Sequence, residues 1–253
     1  MPARSLTFIV LVIWLLAACG TPPVATTPPT PQPVFLAYPP ELRPYAGDLA
    51  ACARQYPDIA LYLTETVEEL APDGRTSLFL AAGSPPAALT GWHATLLAED
   101  VLAVIFNQQN PLAPLGKALS LEELRAVWSG KTLSWASLGG SDGEIKVWVY
   151  PEGSRLRSLF DSAVMAGELV SSRSWLAPDP QAALEAVSAD PDAIGYLPAS
   201  WLESAAPELA EAVQPLRLPD ELNENLHQPV LALTEVEPQE SLRTLLLCFQ
   251  ADQ

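Results

Sequence analysis

Histidine is scarce. Two residues, His93 and His227, stand alone in 253. There are three cysteines, and no Cys-x-x-Cys or Cys/His grouping. A structural zinc site therefore lacks its ligands, and neither a metal nor a cofactor is expected. Gly-x-Ser-x-Gly is absent as well, so nothing points to a hydrolase and the chain reads as a non-enzyme. Basic side chains are few: 13 Lys and Arg face 30 Asp and Glu, a net charge of −17. Nucleic acid and anionic membrane surfaces are poor partners for such a body. An anionic ligand is not excluded, because local Arg and N–H groups set a site. The apolar run Leu6 to Leu16 is too short to span a bilayer comfortably. What is present is ample core material, with 49% hydrophobic residues. The length allows one large domain or two small lobes.

The first residues read as a targeting segment. Arg4 supplies a positive start, Leu6 to Leu16 an apolar stretch, and Leu16-Ala17-Ala18-Cys19 follows. Small residues before a lone Cys resemble the lipobox of bacterial lipoproteins. On that resemblance residues 1–18 are a cleaved signal peptide. The Cys19 sulfur then takes a diacylglyceryl chain of palmitate type, tying the protein to the outside of the cell membrane. An ordinary signal peptide with a chance Cys, or an uncleaved anchor, is the alternative. Residues 19–33, the Cys and a Pro/Thr-rich stretch, form a tether with no periodicity. Cys52 and Cys248 remain; an extracytoplasmic compartment permits a disulfide, and two buried thiols fit equally well.

Strand and helix signals alternate along the body. Val34 to Ala37, Ile59 to Leu63, Leu78 to Ala82, Val101 to Phe106, Ala193 to Leu197 and Val230 to Leu233 read as strands. Leu42 to Tyr56 reads as a helix, Val67 to Leu70 as a short one, and Asp73-Gly74 as a turn. Ser120 and Glu123 form a capping box for a helix that Gly130 closes. Pro238 to Gln250 reads as a terminal helix. The order argues for an α/β fold with a largely parallel sheet.

One stretch stands out, Glu144 to Phe160. Ile145, Val147 and Val149 alternate with Lys146, Trp148 and Tyr150, the period of a half-buried strand. Pro151, Glu152 and Gly153 stop it. Ser154 is a good N-cap for a helix carrying Leu156, Leu159 and Phe160. Such a turn aims free N–H groups and a helix dipole at one point, which suits an anion. Arg155 and Arg157 lie in the first helical turn, placed to clamp the same charge.

Several segments in order resemble the phosphate-binding proteins of bacterial ABC transporters, within the periplasmic-binding-protein superfamily. Val101 to Pro111 is similar to that family's apolar strand leading into Asn-Pro. Leu121 to Lys131 resembles its helix ending in Phe-Ser-Gly-Lys. Trp135 with Leu138-Gly139-Gly140 resembles Trp-x-x-x-Gly-Gly. Glu152-Gly153-Ser154 with Arg157 resembles Glu-Gly-Ser-Gly-Thr-Arg, and Ala193-Ile194-Gly195-Tyr196 resembles Ala-Ile-Gly-Tyr. The resemblance implies an α/β, two-lobed fold with a ligand cleft between the lobes. Lobe 1 would be 34–98 plus 205–253 and lobe 2 would be 99–204, with hinges near 98–103 and 200–206. It implies a monomeric solute-binding lipoprotein that hands a small ligand, phosphate or another oxyanion, to an ABC permease. The alternative is a non-transport sensor or interaction module with a degenerate pocket.

Seven residues are candidates for the ligand site: Ser154, Arg157, Arg155, Gly153, Ser84, Tyr38 and Asn107. Each also has a plainer reading: Ser154 as a cap, the arginines as a solvated face, Ser84 as a loop residue, Tyr38 as core and Asn107 as a turn cap. The sequence departs from the family where Ser154-Arg155-Leu156 replaces Ser-Gly-Thr. Pro39 and Pro40, which lack N–H donors, follow the first strand. Glu65 follows the second, where it would repel phosphate. Glu41, Glu65 and Glu152 read as solvated surface.

Overall fold

The computed structural model describes residues 30–66 and 75–251. The expected signal peptide, Cys19, most of the tether, the short helix at 67–70 and the turn at 73–74 lie outside them. Among the described residues no helix is long and apolar enough to cross a membrane.

Among the described residues nine strands form one continuous pairing. They are β1 (Gln32–Tyr38), β2 (Ile59–Glu65), β3 (Leu78–Ala82), β4 (His93–Asn107), β5 (Lys146–Val149), β6 (Trp175–Leu176), β7 (Ala193–Pro198), β8 (Val213–Pro215) and β9 (His227–Thr234). Their order is β2-β1-β3-β9-β4-β7-β5-β6, with β8 also on β4. The helices are α1 (Arg43–Ala53), α2 (Leu121–Trp128), α3 (Arg155–Phe160), α4 (Pro180–Ala189), α5 (Ala199–Ser204), α6 (Pro207–Ala212), α7 (Asp220–Asn225) and α8 (Glu240–Ala251).

The long strand β4 organises the molecule. Its first half pairs with β9 from His93 to Val101, and its second half pairs with β7 from Leu102 to Phe106. Among the described residues each half carries a main core and a smaller cluster. Val34, Leu36, Leu49, Leu80, Val230 and Phe249 pack in the first lobe. Leu102, Val104, Trp128, Phe160 and Tyr196 pack in the second.

Three expectations need correction. The sheet is mixed, not largely parallel. The pairs β3–β9, β9–β4 and β4–β7 are antiparallel; parallel pairing is confined to β1, β2 and β3, and to β5, β6 and β7. The cause is the return strand β9, which inserts between β3 and β4 and runs against both. The strand read from Val101 begins at His93. Glu99 and Asp100 looked like an interruption, but the pairing runs through them. Asp100 is tolerated in the sheet because it is hydrogen-bonded. Its carboxylate accepts from Ser200 Oγ at 2.7 Å and from Val101 N at 2.8 Å. Finally, residues 205–226 pack on the second lobe. Val213 to Pro215 pair with Ile105 to Asn107, and Leu216, Leu222 and Leu226 join the second core. The chain returns to the first lobe after Leu226, not near 200–206.

Other expectations hold. Ser120 Oγ accepts from Glu123 N at 3.2 Å and Glu123 Oε2 from Ser120 N at 2.9 Å, the reciprocal box expected at the start of α2. Cys52 on α1 and Cys248 on α8 form a disulfide, which settles the alternative left open by the sequence.

Candidate functional site

The turn between β5 and α3 reaches the cleft between the lobes. Gly153 sits at φ 85°, a left-handed conformation that an L side chain resists. That reversal sets Ser154 as the cap, whose Oγ accepts from Arg157 N at 3.4 Å. Below the turn lies a rigid aromatic floor. Tyr150 Oη donates to Tyr196 O at 2.8 Å, and Phe160 stacks on Tyr196 at 4.0 Å between ring centres. Burial pushes the Tyr150 hydroxyl well up, so it stays a neutral donor.

The facing wall comes from the first lobe. β1 ends at Tyr38, and Pro39, Pro40 and Glu41 turn over the strand ends; Phe79 to Ala82 of β3, Pro86 and Thr66 complete that wall. With Gly153, Ser154 and Arg155 these residues enclose a cavity of about 310 Å³. Roomier hollows lie elsewhere. One of about 460 Å³ sits between Gln32–Val34 and Glu235–Leu242, at the opening end of β1. The interlobe cavity is the one fed by both the β5–α3 turn and the strand-end loops of the first lobe.

Contacts cross between the lobes at its rim. Arg155 Nη2 donates to Ser84 O at 3.4 Å. Gly83 makes room for that arm: a Cβ there would lie 3.3 Å from Arg155 Nη1. On the other side Trp201 Nε1 of α5 donates to Glu41 O at 2.9 Å. The Arg43 guanidinium lies over the Trp201 ring at 5.1 Å and grips both carboxylate oxygens of Glu65 at 2.8 and 2.9 Å. The carboxyl of Glu41 is pushed above the usual carboxylate range, chiefly by burial; its own backbone N–H and Arg155 oppose the shift, and Glu65 adds to it.

The seven sequence candidates divide. Gly153, Ser154 and Arg155 line the cavity. Ser84 stands at the rim, where its carbonyl receives Arg155. Tyr38 is buried in the first core behind the prolines, a packing residue whose carbonyl accepts from Thr66 N at 2.9 Å. Arg157 points back from the cleft. Its Nε donates to both oxygens of Asp161, at 2.9 and 2.8 Å, and its Nη1 to Tyr150 O at 3.2 Å. It fastens the turn instead of facing the cavity. Asn107 lies apart, at the other end of β4, where it holds the last turn of α4. Sequence reasoning passed over Trp201 and Arg43, and it read Glu41 as solvated surface, whereas Glu41 lines the cavity and burial raises its carboxyl. Glu41 alone carried a local signal, since it directly follows the Pro-Pro pair at a strand end.

Comparison with known proteins agrees with this architecture. A family model described as a PBP superfamily domain matches residues 83–235. The chain belongs to the PBP superfamily. Among solved structures it is similar to a putative phosphate ABC transporter substrate-binding protein with bound phosphate from Clostridium perfringens. The TM-score is 0.69 at 20% identity, over 86% of this chain and 92% of that one. An ABC-type phosphate transport receptor from Vibrio cholerae matches with a TM-score of 0.58 at 17% identity, over 87% and 94%. The CcmR regulatory domain of Synechocystis, in complex with 2-PG, matches with a TM-score of 0.63 at 17% identity, over 87% and 96%. These likenesses establish a shared fold.

Proposed function

We propose that this protein is an extracytoplasmic solute-binding lipoprotein of an ABC importer, anchored through Cys19. It takes a small ligand bearing an oxyanion group in the interlobe cleft and presents it to a permease. The observation that carries the reading is the 310 Å³ cavity lined from both lobes, with Ser154 and Arg155 on one wall. Cavities of this size hold small molecules, and a site between two lobes is the usual place for one. Binding draws the lobes together by hinge motion at β4 and the return after Leu226. Phosphate is the simplest such ligand, and the Clostridium and Vibrio proteins give it precedence.

A second reading is a sensor or interaction module on the same fold. It is favoured by Pro39 and Pro40, which bring no N–H to the cavity, and by Arg157, which is held by Asp161. A fully desolvated phosphate needs many donors, and each one unmade costs about 1–3 kcal/mol. Likeness to a regulatory domain points the same way. Calorimetric titration of the full-length protein in detergent with inorganic phosphate separates the readings. Saturable heat and a raised thermal midpoint are expected for the importer protein. A folded protein with neither would remove phosphate as its ligand.

A further inference from the structure

Three buried polar residues, Asp100, Ser200 and Gln228, gather where the chain crosses between the lobes. The crossing has two strands. β4 leaves the first lobe, pairing with β9 up to Val101 and with β7 from Leu102. β9 brings the chain back, starting at His227. Asp100 and Gln228 are register partners on these two strands. Directly opposed residues of an antiparallel pair share a face, with Cβ atoms about 4.5–5.5 Å apart. That face belongs to the first core, where Val230, two residues on, is packed. Yet Gln228 Nε2 is buried with no hydrogen-bond partner among the described residues. The acceptor beside it is taken. Asp100 accepts from Ser200 Oγ at 2.7 Å, from Ser200 N at 3.4 Å and from Val101 N at 2.8 Å. The Tyr45 hydroxyl of α1 also donates to it, and is pushed up by burial first and then by the Asp100 charge.

Of these bonds, the pair from Ser200 is the one a hinge motion breaks. Asp100, Gln228 and Tyr45 sit on the β4–β9 pairing and on α1, which belong to the first lobe. Ser200 lies on α5, which follows β7 in the second lobe. Resting on the hinge motion of the proposed function, though not on its ligand, we infer that the crossing holds a hydrogen-bond exchange. Ser200 clasps Asp100 in this structure, and Gln228 takes the carboxylate when α5 turns away. Gln228 is thus a positioning residue of the hinge, a donor held in reserve for the released form. Without it, release would leave a buried carboxylate short of a donor, which is costly. With it, the two forms lie closer in free energy. One residue beyond Ser200, Trp201 Nε1 holds Glu41 O at 2.9 Å, so the clasp and the cleft rim let go together. Apparent affinity scales with the fraction of molecules in the binding-competent form. The exchange sets that fraction for any ligand of the cleft.

Two ligand-free measurements on the full-length protein in detergent test this. The first is amide hydrogen exchange of α5, Ser200 N above all, read against α2 as a gauge of global stability. Ser200→Ala is expected to speed α5 exchange relative to α2. Gln228→Met, apolar and similar in length, removes the reserve donor and penalises the released form. It is expected to slow α5 exchange about tenfold relative to α2, the scale of one hydrogen bond to a charged group. An inert amide at Gln228 predicts no such slowing, because nothing in the clasped form depends on it. The second measurement is a crystal structure of Ser200→Ala, expected to place Gln228 Nε2 about 3 Å from an Asp100 carboxylate oxygen. Exchange in α5 that is unchanged or faster in Gln228→Met overturns the inference. So does a Ser200→Ala structure in which Gln228 leaves Asp100 alone, and that structure decides if Gln228→Met does not fold. Neither measurement uses a ligand. Failure of phosphate to bind would remove the importer reading and leave the exchange standing.

Discussion

Asn107 commits its whole amide to the fold. Its Nδ2 donates to Val187 O at 3.0 Å and to Ser188 O at 2.8 Å, and its Oδ1 accepts from Gln109 N at 2.8 Å. Removing it leaves buried carbonyls at the end of α4 without a donor. Asn107→Ala is therefore expected to cost about 1–3 kcal/mol in denaturant unfolding. Ligand affinity should not change, and a loss of affinity in a folded variant would return Asn107 to the site. Glu41 behaves in the opposite way. Burial raises its carboxyl in the folded protein, against the pull of its own N–H and Arg155; Glu65 adds to the rise, and the Tyr150 hydroxyl lies near. A raised acid makes the folded state bind more protons than the unfolded one. Its favourable contribution is present below the ordinary value of 4.5 and is lost as pH climbs through the raised value. Glu41→Gln should thus raise the ligand-free thermal midpoint at neutral pH, with the gain shrinking as pH falls through the raised value and gone below the ordinary one. A variant less stable than the parent at neutral pH would mean that Arg155 outweighs burial.

At the scale of elements, what the sequence disclosed was local. Alternation through Ile145, Val147 and Val149, then Gly153 and Ser154, marked β5, its turn and α3. The Ser120–Glu123 box marked α2. Both rest on short-range geometry that residue types report directly. The pairing of β4 was hidden for a different reason. Its first half has Leu96 outward and Glu99 exposed, with a bulge between Leu96 and Ala98, so no clean period of two survives. Tertiary pairing with β9 makes it a strand. β8 is three residues long and is defined by its place beside Ile105 to Asn107. Within the site, Gly153, Ser154 and Arg155 were legible because a turn before a helix aims them. Arg157 was misjudged because an i,i+4 acid, Asp161, takes its guanidinium inward along the same helix. Glu41 and Trp201 meet across 160 residues of sequence, and no periodicity encodes such a contact.

For the whole molecule, the second lobe is an insertion within the first. The chain leaves along β4 and comes back after Leu226, and α8 then packs beside α1. The Cys52–Cys248 disulfide closes this arrangement, joining residues 196 apart in sequence. It lies entirely in the first lobe, so its loss leaves the second core intact. A cross-link over so long a loop mainly restricts the unfolded chain, and its removal typically costs about 2–5 kcal/mol. That cost should fall on the first lobe, which without the bond must hold its two chain segments together by packing alone. Tryptophan placement gives a separate readout, because the fully buried Trp128 and Trp135 belong to the second core. In the Cys52→Ala/Cys248→Ala protein, calorimetry is expected to show the first lobe melting earlier. Fluorescence of the buried tryptophans should change later, so that one transition becomes two. The rim contacts of Trp201 with Glu41 and of Arg155 with Ser84 oppose that separation. If both signals shift together by the same amount, those contacts couple the lobes strongly enough to make them one cooperative unit. The hinge motion of the importer reading would then need ligand energy to break them.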